Sequence, residues 1–376
     1  MASPPPAPAV NAPQRLAALW KTGTPCPYDE VIDVRSPGEF AEDHLPGSVN
    51  LPVLSDEERV EVGTLYRRES AFAARRVGAA LVSRNIGRHL AAHFAERPRE
   101  YRPLVYCWRG GQRSASLATV LAAVGWRVTV LEGGYKTYRA YVLAELDALP
   151  RRYTLRLLAG LTGTGKTRLL HRLAARGAQT LDLEALAGHR GSVLGWVGAQ
   201  PSQKGFESRL LAALGALDSA FPVWVEAESH RIGDRYLPPA LWSAMKGSGG
   251  VEIRMSLAAR VEHLLGDYAH LVAEPELLKR QLGRLGDGRR PVVWNRLIDA
   301  GDWPALAADL LESHYDPGYT SSLRRNFPGV VDSAALGAVS DENLDALLAG
   351  LIGSCNAEVA GIPGFGSRNG LVSRPL

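Results

Sequence analysis

Cysteine is scarce in this chain of 376 residues: Cys26, Cys107 and Cys355 lie far apart, and none has the paired spacing of a zinc site. A disulfide framework is thereby excluded, and a reducing, cytoplasmic location is the expectation. Apolar runs are short as well, none reaching the ~18 residues of a bilayer-spanning helix. No charged segment followed by an apolar one opens the chain, so neither export nor membrane insertion is expected. The charge excess is small, +4. It permits a polyanionic partner without pointing to one. The histidines show no metal-ligand spacing, and no metal site is expected from them.

What is present is an alternation of strand-like and helix-like segments. Residues 1–14, "MASPPPAPAVNAPQ", read as an extended Pro/Ala-rich tail. "EVIDV" (30–34) and "PLVYC" (103–107) read as buried strands, "SASLATVLAAVG" (114–125) as a helix stopped by Gly125, and "RVTVLEGG" (127–134) as a strand entering a turn. Between the first two strands, about residues 55–94 form a charged helical insertion of two or three helices, with Ser55 and Glu58 placed for a capping box. The pattern restarts at "YTLRLLAGLTGTGKTRLLHRLAARG" (153–177), with further strands at 179–183, 222–228 and 250–256. The fold class is therefore α/β: one parallel-sheet domain over 15–149, a second over 150–325, and a weakly patterned extension and tail over 326–376.

The first chemistry lies in "LVYCWRGGQRS". A thiol reacts as thiolate, which is favoured where positive charge and helix N-terminal amides lie close. Cys107 ends a strand, a glycine-bearing loop curls after it, and Arg109 and Arg113 add charge before the next helix. Cys26 and Cys355 lack this context and read as small packing residues. "IDVRSPGEFAEDHLPGSVNLP", "VYCWRGGQRSASLA" and "VLEGGY", in that order, resemble a rhodanese domain, in which a loop cysteine carries a transferable chalcogen. By that likeness Cys107 is the nucleophile and Arg109 and Arg113 orient an anionic donor, while Asp33 and Arg35 brace the sheet.

The second chemistry lies in "GLTGTGKT", which satisfies the phosphate-loop pattern between an apolar strand and a helix. Gly160, Gly163 and Gly165 let backbone amides approach phosphate, Lys166 adds a point charge, and Thr167 is placed for magnesium. "VWVEAESHRIG" is a candidate for the usual second carboxylate strand, with Glu226 and Glu228 alternating onto one face, although the usual Asp is missing; magnesium binding and solvated strand-end glutamates are both open. Two further runs, 188–210 and 313–325, combine aromatic and basic residues: Arg190, Trp196 and Lys204 in the first, Tyr315, Tyr319 and Arg324 in the second. They suit contact with a base and its phosphates, or an ordinary solvent-facing loop.

The order of "CWRGGQRS", "LEGGYKTYR", "GLTGTGKT", "GSVLGWVGAQPSQKGFES", "VEAESHRIG" and "YDPGY" resembles one family, the tRNA 2-selenouridine synthases. The resemblance implies a rhodanese-like domain followed by a P-loop NTPase-like domain. It also implies a transferase that alkylates wobble 2-thiouridine with geranyl diphosphate and then exchanges sulfur for selenium from selenophosphate. The implied partner is the anticodon stem-loop of a tRNA, with no permanently bound cofactor. On this likeness Cys107 receives selenium as a selenosulfide and the residues of the glycine loop cradle the diphosphate. A P-loop kinase and an ATP-dependent tRNA sulfurtransferase are the rival readings.

Overall fold

A computed structural model of the chain describes residues 9–10, 27–189, 199–283, 285 and 290–360. Most of the Pro/Ala-rich stretch over 1–14, the tail from 361, Arg190 and Trp196 lie outside the described residues. The chain forms two compact units: Met1–Tyr153 with Leu183–Phe221 and Ser229–Ala244, and Thr154–Asp182 with Pro222–Glu228 and Met245–Leu376.

The first unit is built on a sheet of β1 (Ala9–Val10), β2 (Glu30–Asp33), β3 (Val49–Asn50), β4 (Pro103–Tyr106) and β5 (Thr129–Leu131). Their order is β1-β5-β4-β2-β3 and every pairing is parallel. All four residues of β4 are buried, as a strand covered on both faces should be. Helix α1 (Pro37–Glu42) connects β2 to β3. The helical insertion resolves into two helices, α2 (Asp56–Arg68) and α3 (Ala71–Ala92). α2 opens on the expected capping box: Ser55 Oγ accepts from the Glu58 amide and Glu58 accepts from that of Ser55. α4 (Gln112–Val124) stops at Gly125, whose φ of 117° only glycine adopts readily. α5 (Gly134–Ala148) follows β5. Ile32, Val34, Ile86, Phe94, Val105, Leu117 and Leu121 form the core, and Cys107 sits within it.

Asp33 and Arg35 form a buried ion pair of 2.6 Å. The Arg35 guanidinium also donates to Asp43 O at 2.6 Å and lies 4.0 Å from the centre of the Tyr135 ring. Burying a charge is tolerable only when its donors are used, and here they join β2, the end of α1 and α5. The bracing role expected for this pair is what its bonds describe.

The second unit begins with β6 (Leu155–Gly160), α6 (Lys166–Ala175) and β7 (Gln179–Leu181). The chain then passes through the first unit as α7 (Gln203–Gly215), which buries Phe206, Leu210, Leu211 and Leu214. It returns to the second unit as β8 (Val223–Glu226) and goes back to the first as a small antiparallel hairpin of β9 (Arg231–Ile232) and β10 (Arg235–Tyr236). The second sheet continues with β11 (Gly250–Arg254), followed by α8 (Leu257–Asp267). A π-helical turn over Leu311–Tyr315 runs into α9 (Asp316–Asn326), then come β12 (Val330–Ala335) and α10 (Asp341–Ala360).

The order of this parallel sheet is β12-β11-β6-β8-β7, which puts the strand preceding the glycine loop at its centre. Sequence patterning ended the domain at 325, yet the sheet takes an edge strand from residues 330–335. "VVDSAA" offers little apolar signal because the strand is largely exposed. Similarly, 313–325, read as a surface run, is helical.

Candidate active sites

The sulfur of Cys107 lies where β4 has ended and α4 is about to begin. It is almost fully buried, and two donors reach it: the Gly111 amide at 3.2 Å and the Ser114 hydroxyl at 3.2 Å. The loop is held from behind by α5, where the amides of Tyr135 and Lys136 bond to the carbonyls of Cys107 (2.8 Å) and Trp108 (3.0 Å). That approach requires the second glycine of "LEGG": Gly134 has φ 57°, and a Cβ there would lie 2.2 Å from Cys107 O. The carbonyls of the loop are thus turned to α5, and its donors face the sulfur.

The two arginines differ in their commitments. Arg109 is exposed and makes no ion pair among the described residues. Arg113 pairs with Glu39 at 2.6 Å. Burial would raise the carboxyl of Glu39, but the hydrogen bond and charge of Arg113, the Ser36 amide and Arg59 together hold it below its ordinary value. Arg113 thus joins α4 to α1, and Arg109 is the loop's uncommitted cation. Glu39 and Ser114 were not singled out in the sequence as partners, because neither spacing nor composition marks them.

An aromatic pair stands beside this loop, Trp108 half-buried and Tyr135 buried. Trp108 lies 5.2 Å from the Tyr135 ring, and Lys204 Nζ lies 5.8 Å from the Trp108 ring while pairing with Glu42 at 2.7 Å. Ser202 donates to Glu42 O, Ser208 donates to Asp43 Oδ2 at 3.0 Å, Tyr135 donates to the same oxygen at 2.8 Å, and Arg139 pairs with Glu207. Lys204 is therefore held by an acid next to the thiol loop. Gln200 and Gln203 also have defined jobs. Gln200 donates to Ala187 O (2.9 Å) and Ile232 O (3.2 Å) and accepts from the Asp234 amide, and Gln203 accepts from the Tyr236 amide and donates to Tyr236 O, both pinning the β9–β10 hairpin.

In the second unit, "GLTGTGKT" wraps from the end of β6 to the start of α6. Gly160 has φ 153°, and a Cβ there would lie 2.7 Å from Thr164 Oγ1 and 2.8 Å from Ile253 O. Lys166 Nζ donates to Gly160 O at 2.6 Å and is 5.3 Å from the centre of the Tyr319 ring. The Tyr319 hydroxyl accepts from the Gly160 amide at 2.9 Å. On the same helix Asp316 makes a two-point ion pair with the buried Arg260 (2.9 and 2.8 Å), which also donates to Thr162 O. So "YDPGY", which the sequence left open between a base-and-phosphate contact and a solvent-facing loop, places Tyr319 against the glycine loop and Asp316 on the arginine that holds it. Tyr315 is half-buried and packs edge-on against His314, and Arg324 is exposed.

Glu226 ends β8 fully buried. Thr167 donates to its Oε1 at 2.8 Å, and its Oε2 has no hydrogen-bond partner. Burial first, then the charge of Glu228, raises its carboxyl from 4.5 to about 7, against the opposing pull of Lys166 and Thr167. The reading of Glu226 as a solvated strand-end residue does not hold, since it has no exposure. The strand's alternation could mark it for a face but not reveal how deeply that face lies.

No helix among the described residues is long and apolar enough to cross a membrane. Residues 13–141 match the rhodanese-like domain family, and residues 153–283 match the family described as the tRNA 2-selenouridine synthase AAA domain. A tRNA 2-selenouridine synthase of Nitrosomonas europaea is 37% identical over 258 residues, covering 67% of this chain and 66% of that protein, just under two thirds of its length. One of Shewanella loihica is 36% identical over 340 residues, covering 80% of this chain and 89% of the relative. One of Hahella chejuensis is 33% identical over 362 residues, covering 86% and 92%. With both domains matched in order and nearly the whole of a relative covered, this chain belongs to the tRNA 2-selenouridine synthase family.

Proposed function

We propose that the protein replaces the sulfur of wobble 2-thiouridine in a tRNA anticodon by selenium, with geranyl diphosphate and selenophosphate as co-substrates. The observation that carries this reading is the donor-lined sulfur of Cys107 at a helix N-terminus, in a chain of this family whose second unit holds a phosphate loop. In the first step the thio sulfur attacks the geranyl carbon. A C–S bond forms, the C–O bond breaks, and diphosphate leaves with the electron pair. The loop amides and Lys166, moved from the Gly160 carbonyl to the departing oxygens, stabilise that charge. Alkylation makes the sulfur a better leaving group. In the second step a C2–Se bond forms and the C2–S bond breaks, releasing geranyl thiol.

The Cys107 loop handles the selenium. If the thiolate takes selenium as a selenosulfide, the pair of the P–Se bond stays with phosphorus, which departs at the level of phosphite, and an external thiol must then supply the two electrons that cleave the S–Se bond and leave selenium on C2 at the selenide level. If water attacks phosphorus and phosphate departs, selenium comes off as selenide, and the Cys107 S–H together with the Gly111 and Ser114 donors around it is what holds it. Phosphorus NMR of the spent reaction separates these forms. The Thr167 hydroxyl and the unpartnered Glu226 oxygen are donors suited to a magnesium ion, which would neutralise charge on the diphosphate.

The test is mass analysis of nucleosides from thiolated tRNA treated with both co-substrates in nucleotide-free buffer. Wild type should yield 2-selenouridine. A strict need for ATP would instead favour a kinase or sulfurtransferase. Cys107→Ala should accumulate S-geranyl-2-thiouridine and form no selenouridine, and selenation by that variant would overturn the assignment.

A further inference from the structure

The α2–α3 hairpin is rooted at one end. Asn85 donates to Val53 O (3.1 Å) and Glu58 (2.7 Å), Arg84 pairs with Glu58 at 2.5 Å, and Ile86 packs into the core with Val82 and Leu90 beside it. The opposite end is the junction "YRRESAFAARR", residues 66–76. Phe72 stands 14 positions before Ile86, about 20 Å along the helix axis at 1.5 Å per residue.

This junction keeps in water what a folded chain ordinarily covers or compensates. Tyr66 is 64% exposed and Phe72 71%. Arg67, Arg68, Arg75 and Arg76 are all exposed, and none pairs with an acidic side chain among the described residues. Arg67 and Arg75 bond only to carbonyls of their own helices, Gly63 O and Ala71 O. Glu69 is the one acid in the stretch. Arg75 and Arg76 also follow the first turn of α3, which has no acidic residue, so they sit near the positive end of the helix dipole. Arg67 and Arg68 lie in the last turn of α2, where the helix dipole favours a cation, but neither helix physics nor packing accounts for Arg75 and Arg76. Single exposed aromatics are common, but two planar rings among four guanidiniums that have no acidic partner match the chemistry of phosphates interleaved with unpaired bases. An acidic protein would satisfy the charges and leave the rings without a role.

We infer that the α2–α3 junction is a docking surface for the tRNA, the arginines meeting backbone phosphates and Tyr66 and Phe72 stacking on unpaired bases. The inference rests on the proposed function in taking tRNA as the partner. It is tested by titrating the full chain with fluorescent tRNA over a range of salt. Replacing all four arginines by Ala should weaken binding tenfold or more at about 0.15 M salt and reduce the slope of log K against log salt by roughly three. Tyr66→Ala with Phe72→Ala should weaken binding about fivefold at unchanged slope. Circular dichroism and melting temperature should match wild type, since every site is exposed. On wild-type protein, tRNA should also protect Arg67–Arg76 from trypsin. Full affinity in the arginine variant, or no trypsin protection, overturns the surface while leaving tRNA as substrate, even if the junction then captures an acidic protein. Failure of wild type to bind tRNA overturns both.

Discussion

The thiol loop and the phosphate loop are the same local construction put to opposite uses. Each follows a parallel strand, turns on glycines in the left-handed region and delivers amides at a helix N-terminus. On the proposed function the reactive group of the first loop is part of the chain: the Cys107 sulfur already occupies the amide end, and the nearby cations are displaced from it, Arg113 to Glu39 and Arg109 to solvent. In the second loop the cation is part of the chain, Lys166 resting on the carbonyl of Gly160, and the anion must come from outside. A group that stays needs donors around it. A group that arrives and leaves needs a charge able to change partners.

The backing of the two loops differs too, and it offers the largest test. α5 holds the thiol loop through backbone amides, whereas the phosphate loop depends on a side-chain ion pair, Asp316 with Arg260. Asp316→Ala should cost about 3–5 kcal/mol in urea unfolding, because it strands a buried guanidinium. A loss under about 1 kcal/mol would show the loop to be self-supporting.

Next in size is the charge that changes partners. Lys166→Ala should slow geranylation about 100-fold or more while tRNA affinity stays near wild type. Parallel losses in both measurements would make the loop a clamp for tRNA phosphate instead.

The smallest effect concerns Glu226, for which the thiol loop has no counterpart. Its carboxyl, raised from 4.5 to about 7, keeps a proton in the folded chain that the unfolded chain has lost. The stability this provides is present below about pH 4.5 and disappears as pH rises through about 7. Glu226→Gln should flatten that slope in unfolding experiments run across the window. An unchanged slope would assign it to another group.

Both loops were legible in the sequence because their chemistry is local: a strand, glycines, the reactive residue and a helix within a dozen or so positions. Their supports were not. Arg260 reaches Asp316 across 56 positions, and Tyr319 reaches Gly160 across 159. No periodicity records such pairs, so "YDPGY" stayed open between a recognition surface and a solvent-facing loop. β12 was missed for a different reason, since an exposed edge strand of small residues lacks the apolar alternation that reveals inner strands. The helical insertion lay between, its caps readable and its exposed junction visible only once the packed face was known.

The two glutamines that pin the β9–β10 hairpin have a consequence for the protein's chemical ageing. A hairpin of two-residue strands is too short to hold itself, and the amide of Gln200 serves it as a surrogate peptide group, donating to two carbonyls and accepting from one amide. Deamidation would set a carboxylate against the carbonyls of Ala187 and Ile232, turning two attractions into repulsions in one covalent event. The durability of this corner therefore depends on the hydrolytic lifetime of side-chain amides, with Gln203 the remaining tie once Gln200 is lost.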